Sequence, residues 1–560
     1  MKTAIKLFLA LALPGALCAS CSEKPYGAVP EPWQLKWQDM EMNMFVHFGP
    51  NTFTGREWGD GKETEDMFNP TDLDCRQWAE TARAAGFKGI IITAKHHDGF
   101  CLWPNPVSSH TVARSSWRDG KGDVLAELSA ACREYGLGFG IYISPWDRND
   151  PHYGTPGYND VFVKTLESAL GSYGPVFEQW FDGANGEGPN GKKQTYDWPL
   201  FNGTVKRLQP EAVIFSDVGP GCRWCGNEYG SCGRTNWSTL DTEGYEPGRN
   251  APSLETLNSG ERGASLWIPA ETNTSIRPGW FWRESENSEV KSVQKLLQIY
   301  YESVGRNSLL LLNVPPDTTG RINAVDSVRL REFRAALDAI FSDNLTEGHK
   351  TRTSGDHMHY RMDFGRPLRF NRVELREDIA LGQRVAAFTV DARVEGEWKT
   401  IASETTVGRR RILLVPQTTA DAIRVNVTET LAKPLLGISG LYQDDIYKES
   451  EEETLSGVFH KAEDVLGVDL GAVRSVKGIQ YTPILNGKGG VIEEFRLEAS
   501  RDGSEWTTVL DGRLFDNIVN NPVRCEVPLP ESVQARFLRL TPLRTSVEGT
   551  FGVQSFGPLP

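Results

Sequence analysis

The chain has 560 residues, a formal net charge of −14, 24% charged residues and 39% hydrophobic ones. That is the composition of a folded globular protein, not of a disordered or fibrous one, and the length predicts three or four domains. The acidic balance argues against a nucleic-acid binder working through a basic surface.

Residues 1–20 read as a secretory signal peptide. Lys2 and Lys6 form the charged start, Leu7–Leu17 is a short apolar run broken by Pro14, and small residues follow at Ala19 and Ser20. The apolar run is too short to span a membrane, and no other stretch is long enough. Cys21 after Ala19-Ser20 resembles a bacterial lipoprotein cleavage box, with Cys18 as a departure at the usual Leu position. Membrane attachment through a lipidated Cys21 and simple secretion both stay open; either makes the protein exported, periplasmic or on a bacterial surface.

From about Trp33 to Asp343, short continuous apolar runs alternate with amphipathic stretches. The runs are Met44–His47, Gly89–Ala94, Phe139–Ile143, Val176–Phe181, Ala212–Phe215, Leu266–Pro269 and Ser308–Leu312. Between them, Leu73–Ala85, Val124–Tyr135, Val161–Leu170 and Val290–Val304 carry helical periodicity. Buried parallel strands read this way, so residues 33–343 predict a TIM-like (β/α) barrel, irregular or with one strand hidden. Of 16 Trp, 14 lie at or before Trp282. Cysteines are too sparse for a disulfide framework, and Cys222-x-x-Cys225 with Cys232 lacks a fourth zinc ligand nearby. A loop with free thiols or one disulfide is the better reading.

Beyond Asp343, alternating short strands replace helical periodicity. Met362–Gly365 matches Val468–Gly471, Gly396–Trp398 matches Ser504–Trp506, and Ala422–Val425 matches Phe537–Leu540. The similar offsets predict a duplicated unit of roughly 100 residues, hence two β-sandwiches at 345–445 and 457–560. The Glu-rich Lys448–Thr454 reads as the linker.

Active sites of such barrels lie at the C-terminal strand ends. Those ends carry His47, then Lys95–Phe100 with His96 and His97, Ser144–Asp147, Trp180–Gly183 with Asp182, Ser216–Gly219 followed by Asn227-Glu228, and Glu271–Asn273. Burying so many polar groups costs free energy unless they are paired, and helix capping explains only one or two. Carboxylates, His and Trp together suit a sugar: aromatic faces cover C–H surface while acids and imidazoles bind hydroxyls. A metal hydrolase is the rival, since His47, His96, His97 and Asp182 are ligand types. The barrel has no His-x-His or His-Glu-x-x-His spacing, and adjacent His96 and His97 on extended chain would point apart. No glycine-rich phosphate loop is present.

The segments His47–Phe53, Glu57-Trp58, Lys95–Trp103, Tyr142–Arg148 and Trp180–Ala184 together resemble the α-L-fucosidases of glycoside hydrolase family 29. The resemblance implies a retaining exo-glycosidase acting on fucosylated oligosaccharides or glycoproteins, without metal or organic cofactor. It implies Asp182 as nucleophile. Arg223-Trp224 through Glu228 resembles the branch preferring α-1,3/4-linked fucose, which implies Glu228 as acid/base, with Cys225 and Tyr229 as departures. Glu271 is the second candidate and Glu243 the third. By the same resemblance His47, Glu57, Trp58, His96, His97, Tyr142 and Trp180 hold the fucose. Trp78 and Trp103 read as core, whereas Trp280 and Trp282 suit core or leaving-group side equally. Phe495–Trp506 and Ala535–Pro542 resemble discoidin-like (coagulation-factor type C) modules, so the last unit is structural or carbohydrate-binding; the first sandwich reads as structural. No residue pattern places either sandwich at the cleft. The competing function is a non-catalytic glycan-binding surface protein.

Overall fold

A computed structural model describes residues 23–448, 458–484, 490–547 and 549–559. The signal-peptide and lipidation readings at residues 1–21 lie outside the described residues, as does the linker beyond Lys448.

Eight parallel strands close into a barrel: β1 (Met42–Val46), β2 (Gly89–Lys95), β3 (Gly138–Ile143), β4 (Glu178–Trp180), β5 (Val213–Ser216), β6 (Cys222–Trp224), β7 (Ala270–Ser275) and β8 (Leu309–Asn313). Each strand pairs with its neighbours in sequence, and β8 closes on β1 with Met42 opposite Leu310. The strands are buried almost throughout, as the continuous apolar runs require. The Val124–Tyr135 helix forms as expected: Asp123 accepts the Ala126 N–H as N-cap, and Gly136 ends the helix in the left-handed region at φ 69°.

The hidden strand is β6, and its discovery corrects two expectations. Cys222, read as part of a thiol loop, is a barrel residue; Cys75, Cys101, Cys132, Cys222, Cys225 and Cys232 are buried free thiols. The expected strand Leu266–Pro269 is not in the barrel. Leu266-Trp267 pairs antiparallel with Thr239-Leu240 in a small separate sheet, and the barrel strand is the following β7. A three-residue strand gives almost no periodicity, and the polar run Ala-Glu-Thr-Asn-Thr-Ser of β7 does not look like a core strand. Some of its polar groups find partners, Thr272 with Ser308 at 2.8 Å and Glu271 with the Trp180 indole, whereas Asn273 Oδ1 and Thr274 Oγ1 are buried without one among the described residues.

The two C-terminal units repeat one topology. The first contains β9 (Thr351–Thr353), β10 (His359–Glu377), β11 (Val385–Val394), β12 (Glu397–Glu404), β13 (Arg411–Thr430) and β14 (Leu436–Tyr442). The second contains β15 (Val458–Lys461), β16 (Leu466–Pro483), β17 (Ile492–Ser500), β18 (Thr507–Leu514), β19 (Cys525–Thr545) and β20 (Thr550–Pro558). The order β10-β13-β11-β12 with β14 on β10 is matched by β16-β19-β17-β18 with β20 on β16. Register shifts bend the long strands, for example between Asp363 and Leu368 in β10 and between Asp469 and Arg474 in β16. Each unit has its own hydrophobic core.

The first sandwich is tied to the barrel by buried ions. Arg410 pairs with Glu41 and Glu374 at 2.7 Å each, and Arg372 pairs at 2.9 Å with Asp444, which also accepts the barrel's Tyr301 hydroxyl. The second sandwich touches the barrel elsewhere, at the mouth of the site.

Candidate active site

All nine anticipated site residues line one cavity of about 750 Å³ at the C-terminal end of the barrel. That size suits a sugar with part of its leaving group.

The floor is aromatic. The Trp180 indole lies flat on Phe215, with centroids 3.8 Å apart and planes at 8°, and the Tyr142 ring stacks on Trp180 at 5.2 Å. Trp58 stands edge-on to His97 and to Trp146.

Three imidazoles are buried, and burial holds all three below their ordinary range, His47 at about 3. They are neutral, and for two of them the hydrogen bonds fix the tautomer. Asn313, the last residue of β8, donates its amide to Ser275 Oγ and to the Trp280 carbonyl. Its oxygen therefore accepts from His47 Nδ1 at 2.9 Å. Ser144 Oγ donates to the Trp146 carbonyl and so accepts from His97 Nδ1 at 2.8 Å. Both imidazoles keep Nε2 as a lone-pair acceptor, suited to a sugar hydroxyl. His97 Nε2 lies 3.9 Å from Asp182 Oδ2.

His96 and His97 do not point apart as extended chain would demand. β2 ends at Lys95, the chain turns, and the two rings sit 4.1 Å apart on the same cavity. Lys95 fixes this turn through a buried ion pair with Asp147 at 3.1 Å.

Asp182 follows β4. It accepts the Tyr142 hydroxyl at 3.0 Å on Oδ2 and the Ala184 N–H at 2.7 Å on Oδ1. Burial raises it above the ordinary carboxyl range while those two donors pull it down. Gly183 is required beside it, since a Cβ there would meet Asp217 Oδ2 at 2.9 Å.

Glu228 sits on the loop after β6. Trp280 Nε1 and Asn517 Nδ2 both donate to its Oε2, each at 2.8 Å. Burial, reinforced by the charges of Asp182 and Glu57, pushes it up to about 8. The loop is held by Arg223, wholly buried on β6, which donates to the carbonyls of Leu257 and Ile268 and to Asn236 Oδ1. Glu57 is engaged by the Trp280 N–H at 2.9 Å and by Arg283 at 2.5 Å.

Glu271 lies inside the barrel beneath the floor. It is wholly buried, accepts the Trp180 indole N–H at 2.8 Å, and is absent from the cavity wall. It forms a proton-sharing pair with Glu178, which accepts the Trp37 indole at 2.7 Å. Cys222 joins this group within 4.8 Å. Burial drives all three toward their neutral forms, the opposite of what a cation requires of its ligands. Glu243 is exposed on a loop away from the cavity. Trp78 and Trp103 are core, as expected.

Sequence reasoning missed several lining residues. Trp146 and Arg148 belong to a quoted strand-end segment and could have been assigned from that position. Trp280, read as suiting core or leaving-group side equally, lines the cavity and donates to Glu228. Asp217, pushed up to about 6 by burial, follows β5. Arg513, Asp516, Asn517, Asn520 and Arg544 come from the second sandwich, and nothing local in the chain marks them.

Residues 28–339 match the Alpha-L-fucosidase family model, and residues 456–553 match the F5/8 type C domain. Alpha-L-fucosidase 1 of Arabidopsis thaliana is 40% identical over 463 residues, covering 77% of this chain and 90% of the relative. A solved glycoside hydrolase 29 family member from an unknown rumen bacterium is 39% identical with a TM-score of 0.73, covering 96% of this chain and all of that one. A Ruminococcus gnavus family 29 fucosidase solved in complex with fucose is 30% identical with a TM-score of 0.67, covering 76% of this chain and 97% of its own.

Proposed function

The chain belongs to the α-L-fucosidases of glycoside hydrolase family 29, and from that premise we propose that it releases terminal α-1,3- or α-1,4-linked L-fucose by double displacement, with Asp182 as nucleophile and Glu228 as acid/base. Its substrates are fucosylated glycans.

The observation that carries the assignment is the division of labour between two carboxyls on one cavity. Asp182 receives a hydrogen bond on each oxygen, which favours a carboxylate. Glu228 receives both of its side-chain donors on Oε2, which leaves Oε1 to carry a proton that an environment near 8 retains at neutral pH. In the first step an Asp182 oxygen bonds to the anomeric carbon as the glycosidic bond breaks, and Glu228 Oε1 gives its proton to the departing oxygen. In the second step Glu228 takes a proton from water, whose oxygen displaces Asp182 and restores the starting configuration. The lone pairs on His47 and His97 Nε2 and the aromatic floor bind the ring, and any tightening as it flattens toward the oxocarbenium ion lowers the barrier.

Fucose release from an aryl α-L-fucoside, an α-1,2-fucosylated lactose and α-1,3/4-fucosylated Lewis trisaccharides tests the reading. Release confined to the Lewis sugars is expected; strong release from the α-1,2 substrate rejects the linkage preference. Asp182→Ala should lose roughly four or more orders of magnitude while remaining folded, and azide should restore turnover with an inverted fucosyl azide product. Unchanged hydrolysis by that variant rejects Asp182 as nucleophile.

A further inference from the structure

We propose that Asn517, on a loop of the C-terminal sandwich, is a positioning residue for the acid/base, so that this domain completes the catalytic centre of the barrel. The inference rests on Glu228 being the acid/base and deepens that reading.

Asn517 is one of two side-chain donors to Glu228 among the described residues. Trp280, from the barrel, is the other, and both address the same oxygen. With Oε2 held from two sides, the carboxyl plane is fixed and Oε1 is left toward the leaving group. A single donor would let the carboxyl rotate about the first bond and misplace the proton, and small misplacements cost rate steeply.

The loop is built to hold this contact. It runs between β18 and β19, with Phe515 and Ile518 anchored in the sandwich core. Asn517 has φ 59°, a left-handed conformation that Asn tolerates better than most residues. The side chain of Asn520 donates to Asn517 Oδ1 at 3.4 Å, which fixes the amide so that its nitrogen faces Glu228. Asn521 Nδ2 donates to the carbonyl of Pro278 at 2.8 Å, two residues before Trp280, and Arg524 pairs with Glu289 at 2.5 Å. The same domain therefore docks on the segment that supplies the other donor. Arg513, Asp516, Asn520 and Arg544 of the same domain line the cavity with Asn517 and Glu228.

An acid catalyst matters in proportion to how poorly the leaving group departs unaided, so the test compares leaving groups. Full-length Asn517→Ala should lose about tenfold in kcat/KM on a fucosylated trisaccharide and less than about twofold on an α-L-fucosyl fluoride, the loss expected for one hydrogen bond to a charged or developing charge. The alkaline limb of its pH profile should move up, because the Asn517 donor favours the ionised form of Glu228. Two controls separate the possible failures. Glu228→Gln should show the same selectivity far more strongly; if it hits both substrates equally, the acid/base assignment itself is wrong. If Glu228→Gln behaves as expected but Asn517→Ala affects both substrates alike, or neither, the positioning role falls. Asn521→Ala loosens the docking contact while leaving the Asn517 donor in place, so a weaker version of the same selectivity is expected; a selective loss larger than that of Asn517→Ala would overturn the proposal.

Discussion

Asp182 and Glu228 share a cavity, yet their neighbours give them different tendencies to ionise. Two hydrogen bonds distributed over both oxygens keep Asp182 nearer to an ordinary carboxylate, whereas burial and the negative charges of Asp182 and Glu57 hold Glu228 at about 8. The raised value has a stability consequence with a definite sign. Below its ordinary value of 4.5, Glu228 is protonated in both folded and unfolded chains and costs nothing. As pH rises from there toward 8, the unfolded chain loses this proton and the folded one keeps it, so the stability that protonation provides is progressively lost. Glu228→Gln removes the titration. Its melting temperature relative to the parent should rise steadily between pH 5 and pH 8, as followed by calorimetry in matched buffers. A difference that stays flat across that range would mean that Glu228 ionises in the folded protein as freely as in the unfolded chain. Asp217 and Glu271 titrate in the same window but are present in both proteins, so the comparison isolates one carboxyl.

At the scale of elements, β6 decides where Glu228 stands. Arg223 is enclosed with no carboxylate in contact among the described residues, and its guanidinium donates to the Leu257 and Ile268 carbonyls and to Asn236. Those acceptors belong to the excursion between β6 and β7, so one side chain ties the loop that carries Glu228 to the strand it leaves. Arg223→Lys keeps the charge but cannot reach three acceptors at once. It should cost roughly 3 kcal/mol, two hydrogen bonds to a charged group, and lower activity on sugar leaving groups by displacing Glu228. An unchanged urea midpoint would show that the loop is held by other contacts. This element is also where the sequence was least legible. Six barrel strands announce themselves as apolar runs, and β6 has three residues and announces nothing. β7 hides differently: Glu271, Thr272 and Asn273 look like a polar strand end, yet they lie within a strand, where Glu271 accepts the Trp180 indole and Thr272 meets Ser308. Strand-end chemistry was readable at His47, His96, His97 and Asp182 because each follows an apolar run directly. It failed at Glu271 because a carboxyl buried beneath the floor and one that faces the cavity are the same letter.

For the whole molecule, the repeat of one sandwich topology could be read from paired motifs, but the two copies were put to unlike uses that only docking reveals. Asn517 reaches Glu228 across 289 residues of chain, and no local pattern encodes such a contact. The first copy is joined to the barrel through a buried guanidinium. Arg410 bridges Glu374 of its own sheet and Glu41 of the barrel and also donates to the Tyr300 hydroxyl at 2.7 Å. The second copy presents Arg524 to Glu289, both partly open to water. The two ion pairs should therefore differ greatly in what their loss costs. Truncating Arg410 leaves buried Glu374 paired with Arg376 alone among the described residues, and breaking a buried pair typically costs about 3–5 kcal/mol, which the remaining arginine reduces. A half-exposed pair is worth about 0–1 kcal/mol, because water and salt already screen it. Arg410→Ala should lower the urea midpoint substantially, and Arg410→Met should recover part of the loss through packing. Arg524→Ala should leave the midpoint nearly unchanged. A large loss in Arg524→Ala together with a small one in Arg410→Ala would reverse the division, making the first copy the loosely attached domain and the second the structural brace.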